Sequence, residues 1–557
     1  MKVPPVLSGA VTSEHTRASE IGTDILRQGG NAVDALIATT IAVNTLCPYH
    51  SDIGGGGFAL LRLPDGRHES LDFRHVAPKA VTMEFYKTAS TQRGGTAVAV
   101  PGQMRGLEEL HKQHGKLSWK KLLEPSIKLA REGFEMHRDM FWYISMGFEP
   151  RGSTKIEGSW MANEPECSIF VQDGEILPVG GTVYRKGYAN TLETIAEEGA
   201  GAFYEGPIAE ALVKAVRNKG GLMTVQDLKD YKPQWNTPLS AKYRGNTLWA
   251  PPAPASGAIW LSAMGTLAHF EPTTSGSVLD LHRLTEVLRL AYGQRTQLGD
   301  PAFVPGLDER QRQWISAESV AERAKMVDDS KTFPPDYYKP PGVEIKEDHG
   351  TSNITVADSS GLVISVTTTV GLDFGSRVIV PGYGFCLNDS MDDFSVEGKP
   401  NATGYAPSPA NYVVGGKKPL SSSCPYIIEN DKGEVVLAGG AAGGSTIISA
   451  NTQVARNVLD YGMSAAEALR ANRLHNQILP NVSLLERSST HQGITIDGFS
   501  EEQARGLQEK GHVIEWLPAI RNTTCAIKFF PGPQPDWEPA GEPRKHGSGG
   551  SVFHAGQ

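Results

Sequence analysis

From Ala35 to Leu46 the chain reads ALIATTIAVNTL, its longest apolar run, about a dozen residues broken by threonines and Asn44. A bilayer-spanning helix needs about 20 apolar residues, so this run predicts a buried core helix instead. Its start is marked by Gly29 and Gly30, which end a preceding helix, and by Asn31, which can cap the next one. Asp34 falls in the first turn, where the helix dipole favours negative charge. Apolar positions at helical spacing predict further helices at Met104 to His114, Trp119 to Glu132, Gly206 to Lys219 and Leu279 to Leu298.

Residues 332–350 (TFPPDYYKPPGVEIKEDHG) concentrate proline and charge and predict an exposed connector. The pattern then changes to β-branched alternation. Asn353 to Asp358, a Ser359-Ser360-Gly361 turn and Leu362 to Val370 predict one hairpin. Tyr426 to Glu429, a turn at Asp431-Lys432-Gly433 and Glu434 to Ala438 predict a second, followed by Gly439 to Gly444 and a helix from about Ser445. Such strands need helical layers on their faces, so the whole chain is expected to share one sheet system. The proline-rich end after Phe530 gives no clear element.

Length, at 557 residues, allows one large or several ordinary domains. With 53 Lys plus Arg against 62 Asp plus Glu, the net charge of -9 excludes a basic footprint for nucleic acid or anionic membrane. A 39% hydrophobic content excludes disorder for most of the chain. Five scattered cysteines (Cys47, Cys167, Cys386, Cys424, Cys525) form no CxxC pair and no metal spacing, which argues against a disulfide scaffold and a zinc site. The first residues lack an apolar signal-peptide region, and the expected location is cytoplasmic.

Gly54 to Gly57 and Gly439 to Gly444 invite a phosphate reading, but neither leads into GK[ST] or has GxGxxG spacing between strand and helix. No GxSxG elbow or HExxH pair occurs. Thr351, after His349-Gly350, is different. A threonine on a strand is ordinarily structural, and its hydroxyl is a weak nucleophile. Cutting the chain before Thr351 would free an α-amine with a pKa of roughly 7.7–8.0, able to take the hydroxyl proton, so that one residue is nucleophile and base.

The ordered segments GGNAVDALIA (29–38), GGGGF (54–58), LDFRHVAP (71–78), VPGQMRGLEELH (100–111), LGDPAF (298–303), TSNITV (351–356), MDDFS (391–395), KPLSSSCP (418–425) and AAGGSTIIS (441–449) resemble the γ-glutamyltranspeptidases. These are self-processing N-terminal-nucleophile hydrolases. The resemblance implies an α+β fold, a four-layer αββα sandwich built from both halves of one precursor. It implies self-cleavage between Gly350 and Thr351, giving a large subunit (1–350) and a small subunit (351–557) that stay associated. It further implies attack of Thr351 on a γ-glutamyl amide, glutathione or another, and resolution of the acyl-enzyme by water or an amine. By the same resemblance Thr369 supports the nucleophile, and Gly443 and Gly444 supply the oxyanion-binding NH groups. Arg74, with Ser421 and Ser422, holds the donor carboxylate, and Asp393 faces the donor ammonium. No metal or organic cofactor, nucleic acid or membrane partner is implied.

Three positions depart from the family pattern. Asn353 stands where a histidine is usual. Gly371 stands where an asparagine, and Ser390 where a glutamine or glutamate, help hold the donor ammonium. The departures predict a weaker grip on the amine, with two alternatives: an amide hydrolase or acyltransferase of secondary metabolism with another acyl donor, resembling cephalosporin acylases, or an unprocessed, non-catalytic binding protein. Val396 to Gly416, with Tyr405 and Tyr412, matches a lid region of some members. Sequons occur at Asn353, Asn401, Asn481 and Asn522.

Overall fold

The two strands at residues 350–371 are buried at every position, so both of their faces must be covered. The computed structural model describes residues 7–338, 350–398, 407–491, 493–518, 522–532 and 536–556. We number the strands of its two main sheets in chain order: β1 Gly9–Ser13, β2 Gly56–Arg62, β3 His68–Phe73, β4 Gln234–Asn236, β5 Leu239–Tyr243, β6 Asn246–Ala250, β7 Gly350–Asp358, β8 Val363–Gly371, β9 Tyr426–Glu429, β10 Val435–Ala442, β11 Thr523–Phe530, β12 Asp536–Ala540 and β13 Gly549–Phe553. One sheet has seven strands in the order β13-β1-β7-β8-β2-β3-β4, and the other six, in the order β12-β11-β10-β9-β6-β5.

Ala10, Leu60, Ala357, Val363, Ile427, Ala438 and Ile527 pack between the sheets. Ile354, Val356, Ile364 and Val366 point the other way, into a core shared with α1 (Thr16–Arg27) and α2 (Ala32–Leu46). Leu248, Ile428 and Leu437 likewise meet α3 (Gly257–Leu267), α4 (Val278–Arg295) and α5 (Ile447–Leu459). The result is the expected α+β sandwich of four layers, with two sheets rather than one.

The predicted elements sit where the pattern placed them. In α2, Asp34 N donates to Asn31 Oδ1 at 3.0 Å while Asn31 N donates to Asp34 Oδ2 at 3.1 Å, a reciprocal cap. Two expectations change. Strand β10 runs on to Ala442, because Gly439 and Gly440 have no side chains to clash: a Cβ would lie 2.5 Å from the Cys525 carbonyl at one and 2.2 Å from Asn353 Nδ2 at the other. The start of the connector is not exposed throughout, since Tyr338 is buried and its hydroxyl donates to Glu286 Oε2 at 2.6 Å; residues 339–349 lie outside the described residues. The proline-rich end supplies β12, where Pro539 is tolerated on a sheet edge, and is followed by β13. Among the described residues no helix is long and apolar enough to cross a membrane.

Candidate active site

Side chains alternate along β7, so Thr351 falls on the same side as Ala357, toward the opposing sheet, while Ser352 faces the helices. The hydroxyl of Thr351 donates to Thr369 Oγ1 at 3.1 Å, and Thr369 Oγ1 in turn donates to the Gly350 carbonyl at 2.6 Å. The NH of Gly371 donates to the same Thr369 oxygen at 2.8 Å. Thr369 therefore touches both the Thr351 hydroxyl and the Gly350 carbonyl. A bulge makes this possible: Gly350 pairs with Gly371 and Thr351 with Thr369, leaving Val370 as the extra residue. Gly350 is required by crowding, since a Cβ there would lie 2.5 Å from the Gly371 carbonyl and 2.6 Å from that of Leu372.

Thr351 and Thr369 open on a cavity of about 30 Å³, lined also by Arg74, Arg295, Asp393, Asn411, Ser421, Ser422 and Gly444. Arg74 is buried and ion-paired through Nη2 with Asp393; it also donates to the Leu420 carbonyl at 3.2 Å and the Pro419 carbonyl at 3.3 Å. Its ion partner lies on the short turn Ser390–Asp393. The segments LDFRHVAP, LGDPAF and KPLSSSCP converge here: Lys418 N donates to Asp300 Oδ2 at 2.8 Å and Lys418 Nζ to Asp72 Oδ2 at 2.7 Å.

Ser421 and Ser422 both line the cavity, with different partners. Ser421 Oγ donates to Ser423 Oγ at 3.0 Å, and Ser422 Oγ accepts from Arg295 Nη2 at 2.7 Å. Gly443 and Gly444 turn from β10 toward α5 with φ of 121° and 59°, a conformation that glycine adopts without strain. Gly444 reaches the cavity, while Gly443 lines a neighbouring one with Arg473 and His475.

Ser390 is not at the cavity. Its hydroxyl lies 3.0 Å from His75 Nδ1, which is 3.2 Å from Arg74 Nη1. Burial, reinforced by Arg74, holds the His75 pKa well below 6.5, so the ring is neutral and acts as a packing partner of the arginine. Gly371 is not an emptied place either: its φ is 99°, and a Cβ there would lie 1.8 Å from Asp389 Oδ1. The third departure, Asn353, is buried with its amide donating to the Val366 carbonyl at 2.9 Å and Ser365 Oγ at 3.2 Å. Of the lid region, Asn411 seats its amide on the Asp393 carbonyl at 2.6 Å and accepts from Leu420 N at 3.1 Å. Tyr405 and Asn401 lie outside the described residues.

Sequence reasoning missed Arg295, Asn411, His75 and Asp389. Arg295 was legible only as a helical position beside LGDPAF, and Asp389 only as a neighbour of MDDFS. On the helix side of β7, Ser352 Oγ donates to Glu14, whose other oxygen lies 2.6 Å from His50 Nδ1, in a buried network that braces the strand. Farther away, the ligand-type atoms of His282, Glu286 and His512 converge, yet they are already engaged: His282 Nδ1 meets His512 Nε2 at 2.8 Å, and Glu286 accepts from Thr332 Oγ1 at 2.5 Å.

The family model for gamma-glutamyltranspeptidase matches residues 18–552. A glutathione hydrolase proenzyme of Arthroderma benhamiae is 40% identical, with 98% of this chain and 92% of the relative covered. A glutathione hydrolase of Aspergillus flavus is 37% identical, covering 98% and 90%. Among solved structures, a cephalosporin acylase from Bacillus halodurans is similar with a TM-score of 0.83 and 26% identity over 99% of this chain and 97% of that one. Helicobacter pylori gamma-glutamyltranspeptidase gives 0.54 and 28%, over 61% and 96%.

Proposed function

Since this chain belongs to the gamma-glutamyltranspeptidase family, we propose that Thr351 is the nucleophile of its N-terminal-nucleophile chemistry and that the cavity beside it receives the acyl donor. The enzyme is a γ-glutamyl amide hydrolase and transferase of the glutathione hydrolase type. The observation that carries the assignment of Thr351 is the Thr369 hydroxyl, which bonds both Thr351 Oγ1 and the Gly350 carbonyl.

Two acyl transfers use the same atoms. In the first, Thr351 Oγ1 attacks the Gly350 carbonyl carbon and its proton passes to the leaving nitrogen. The Gly350–Thr351 C–N bond breaks, leaving an ester that water hydrolyses. The products are fragments 1–350 and 351–557 and a free α-amine on Thr351, which serves as the base thereafter. In the second, Thr351 attacks the donor amide carbonyl, the amine departs with a proton, and water or an acceptor amine resolves the ester. Gly443 and Gly444 supply NH groups to the oxyanion, where one lost donor typically costs about 2.7–4 kcal/mol. Arg74 and Asp393 separate to meet the donor carboxylate and ammonium, replacing one ion pair by two. A denaturing gel and N-terminal sequencing test the scheme: two fragments are expected, the smaller beginning Thr-Ser-Asn-Ile. A stable single chain with full amidase activity refutes it. A cytoplasmic location belongs to the same proposal; its support is that all five cysteines are free, and cell fractionation tests it.

A second reading, an acyl donor without an amine, draws support from the occupied space at Gly371 and the turned Ser390, which leave Asp393 as the carboxylate at the cavity. Under this reading, removal of the donor α-amine costs less than about fivefold in kcat/KM; a conventional ammonium site loses more, about 1–3 kcal/mol or roughly five- to 150-fold, for the buried partners left unpaired.

A further inference from the structure

The cavity beside Thr351 has three charged side chains in its lining: Arg74, Arg295 and Asp393. Asp393 is ion-paired with Arg74, which leaves Arg295 as the charged group without an ion-pair partner among the described lining residues. The guanidinium of Arg295 is buried and has no carboxylate within salt-bridge distance among the described residues; its contact is the Ser422 hydroxyl, at 2.7 Å from Nη2. Its Nε finds no hydrogen-bond partner among the described residues. A buried cation left this way costs free energy unless a ligand completes it.

The fold holds this arrangement in place. Arg295 ends α4, and one turn earlier Tyr292 donates its hydroxyl to the carbonyl of Ser445, next to Gly444. The last turn of α4 is thereby pinned against the wall of the cavity that carries the proposed oxyanion site. Burial lowers the Arg295 pKa, opposed by Tyr292 and Asp393, a further sign that its charge is only partly compensated by the protein.

We propose that Arg295 is a specificity-determining residue of the donor pocket, a second guanidinium that receives the carboxylate of the acyl donor together with Arg74 and through Ser422. This rests on the reading of the cavity as the donor site. Its consequence is that the pocket selects acyl groups bearing a carboxylate whether or not they carry an amine, because a carboxylate cancels the surplus charge and an ammonium does not. Arg295 contributes to ground-state binding of a non-reacting group, so its loss falls on KM rather than kcat.

The test compares three p-nitroanilides: γ-glutamyl, glutaryl (carboxylate, no amine) and 4-aminobutyryl (amine, no carboxylate). In Arg295→Gln, kcat/KM for the two carboxylate donors is expected to fall about tenfold or more through KM, with the 4-aminobutyryl donor changed less than about threefold. Arg295→Lys, which keeps the charge and loses the planar fork, should show the same donor pattern with a smaller loss, and serves in its place if the glutamine variant fails to fold or to process. Equal loss for all three donors, or no loss for any, overturns the proposal and leaves the donor-site reading standing. If wild-type enzyme turns over none of the three, the donor-site reading itself fails. Titration calorimetry with glutarate and butyrate then decides Arg295: binding of glutarate alone, lost in Arg295→Gln, supports it, and any other pattern overturns it.

Discussion

The carboxylate of Asp389 fills the space that a side chain at Gly371 would need. Asp389 Oδ1 accepts from Leu372 N at 2.9 Å, and Asp389 N donates to the Val370 carbonyl. The aspartate thus clamps the end of β8 from one side while Gly350 lies against the other. Glycine at 371 is a condition of this clamp and of the bulge that sets Thr369 between Thr351 and the Gly350 carbonyl.

Restoring the usual family side chain with Gly371→Asn should therefore damage the enzyme instead of sharpening its grip on the donor amine. Positive φ and overpacking each cost about 1–3 kcal/mol. Self-cleavage should slow and the melting temperature fall, and adding Asp389→Gly should recover part of both. A variant that processes normally and discriminates better for the amine would show that the loop simply moves aside.

The pH dependence of stability should carry a trace of Asp389. Burial raises its pKa well above the ordinary carboxylate value of 3.8, with Asp392 adding to the effect and the Leu372 NH opposing it. The folded state then holds a proton that the unfolded chain releases, so stability falls as pH rises from about 3.8 through the folded-state pKa. Asp389→Asn keeps the acceptor for Leu372 and has no such term. In a Thr351→Ala background, which stays one chain, the stability of wild type relative to Asp389→Asn should decline from pH 4 to pH 8 in denaturant titrations. A constant gap over that range would exclude the buried titration.

Thr351→Ala should abolish both cleavage and turnover, since it removes the oxygen that forms the ester. Thr369→Val keeps the shape and loses the hydroxyl shared by Thr351 and Gly350; cleavage, followed on gels over time, should slow by about 10²-fold, the scale of one lost donor to a developing oxyanion. Thr369→Ser should stay within about tenfold of wild type. Equal rates for the valine and serine variants would remove the hydroxyl from the mechanism.

Arg74 acts on stability as well as on binding, because it is buried against Asp393. Arg74→Ala should cost about 3 kcal/mol or more, as expected when one member of a buried pair is removed. The double variant Arg74→Ala with Asp393→Ala should be less unstable than the sum of the singles, with a coupling of at least about 1 kcal/mol in denaturant titrations. Strict additivity would mean that the pair contributes nothing in solution.

The sequence by itself determined the local elements. The cap at Asn31, the hairpin from Asn353 to Val370 and the glycine-rich stretch that leads into the helix near Ser445 all depend on neighbours close in the chain, so spacing and residue type express them. The tertiary structure alone decided what the three departures mean. Ser390 turns to His75, Asn353 is held by strand β8, and Gly371 is matched by Asp389, each through contacts between segments remote in the chain or across a bulge. It also decided that Arg74 meets Asp393, 319 positions away, and that Arg295 reaches the same cavity. Periodicity records which face of an element is buried. Which side chain fills a given space depends on how distant segments pack, and no spacing along the chain encodes that.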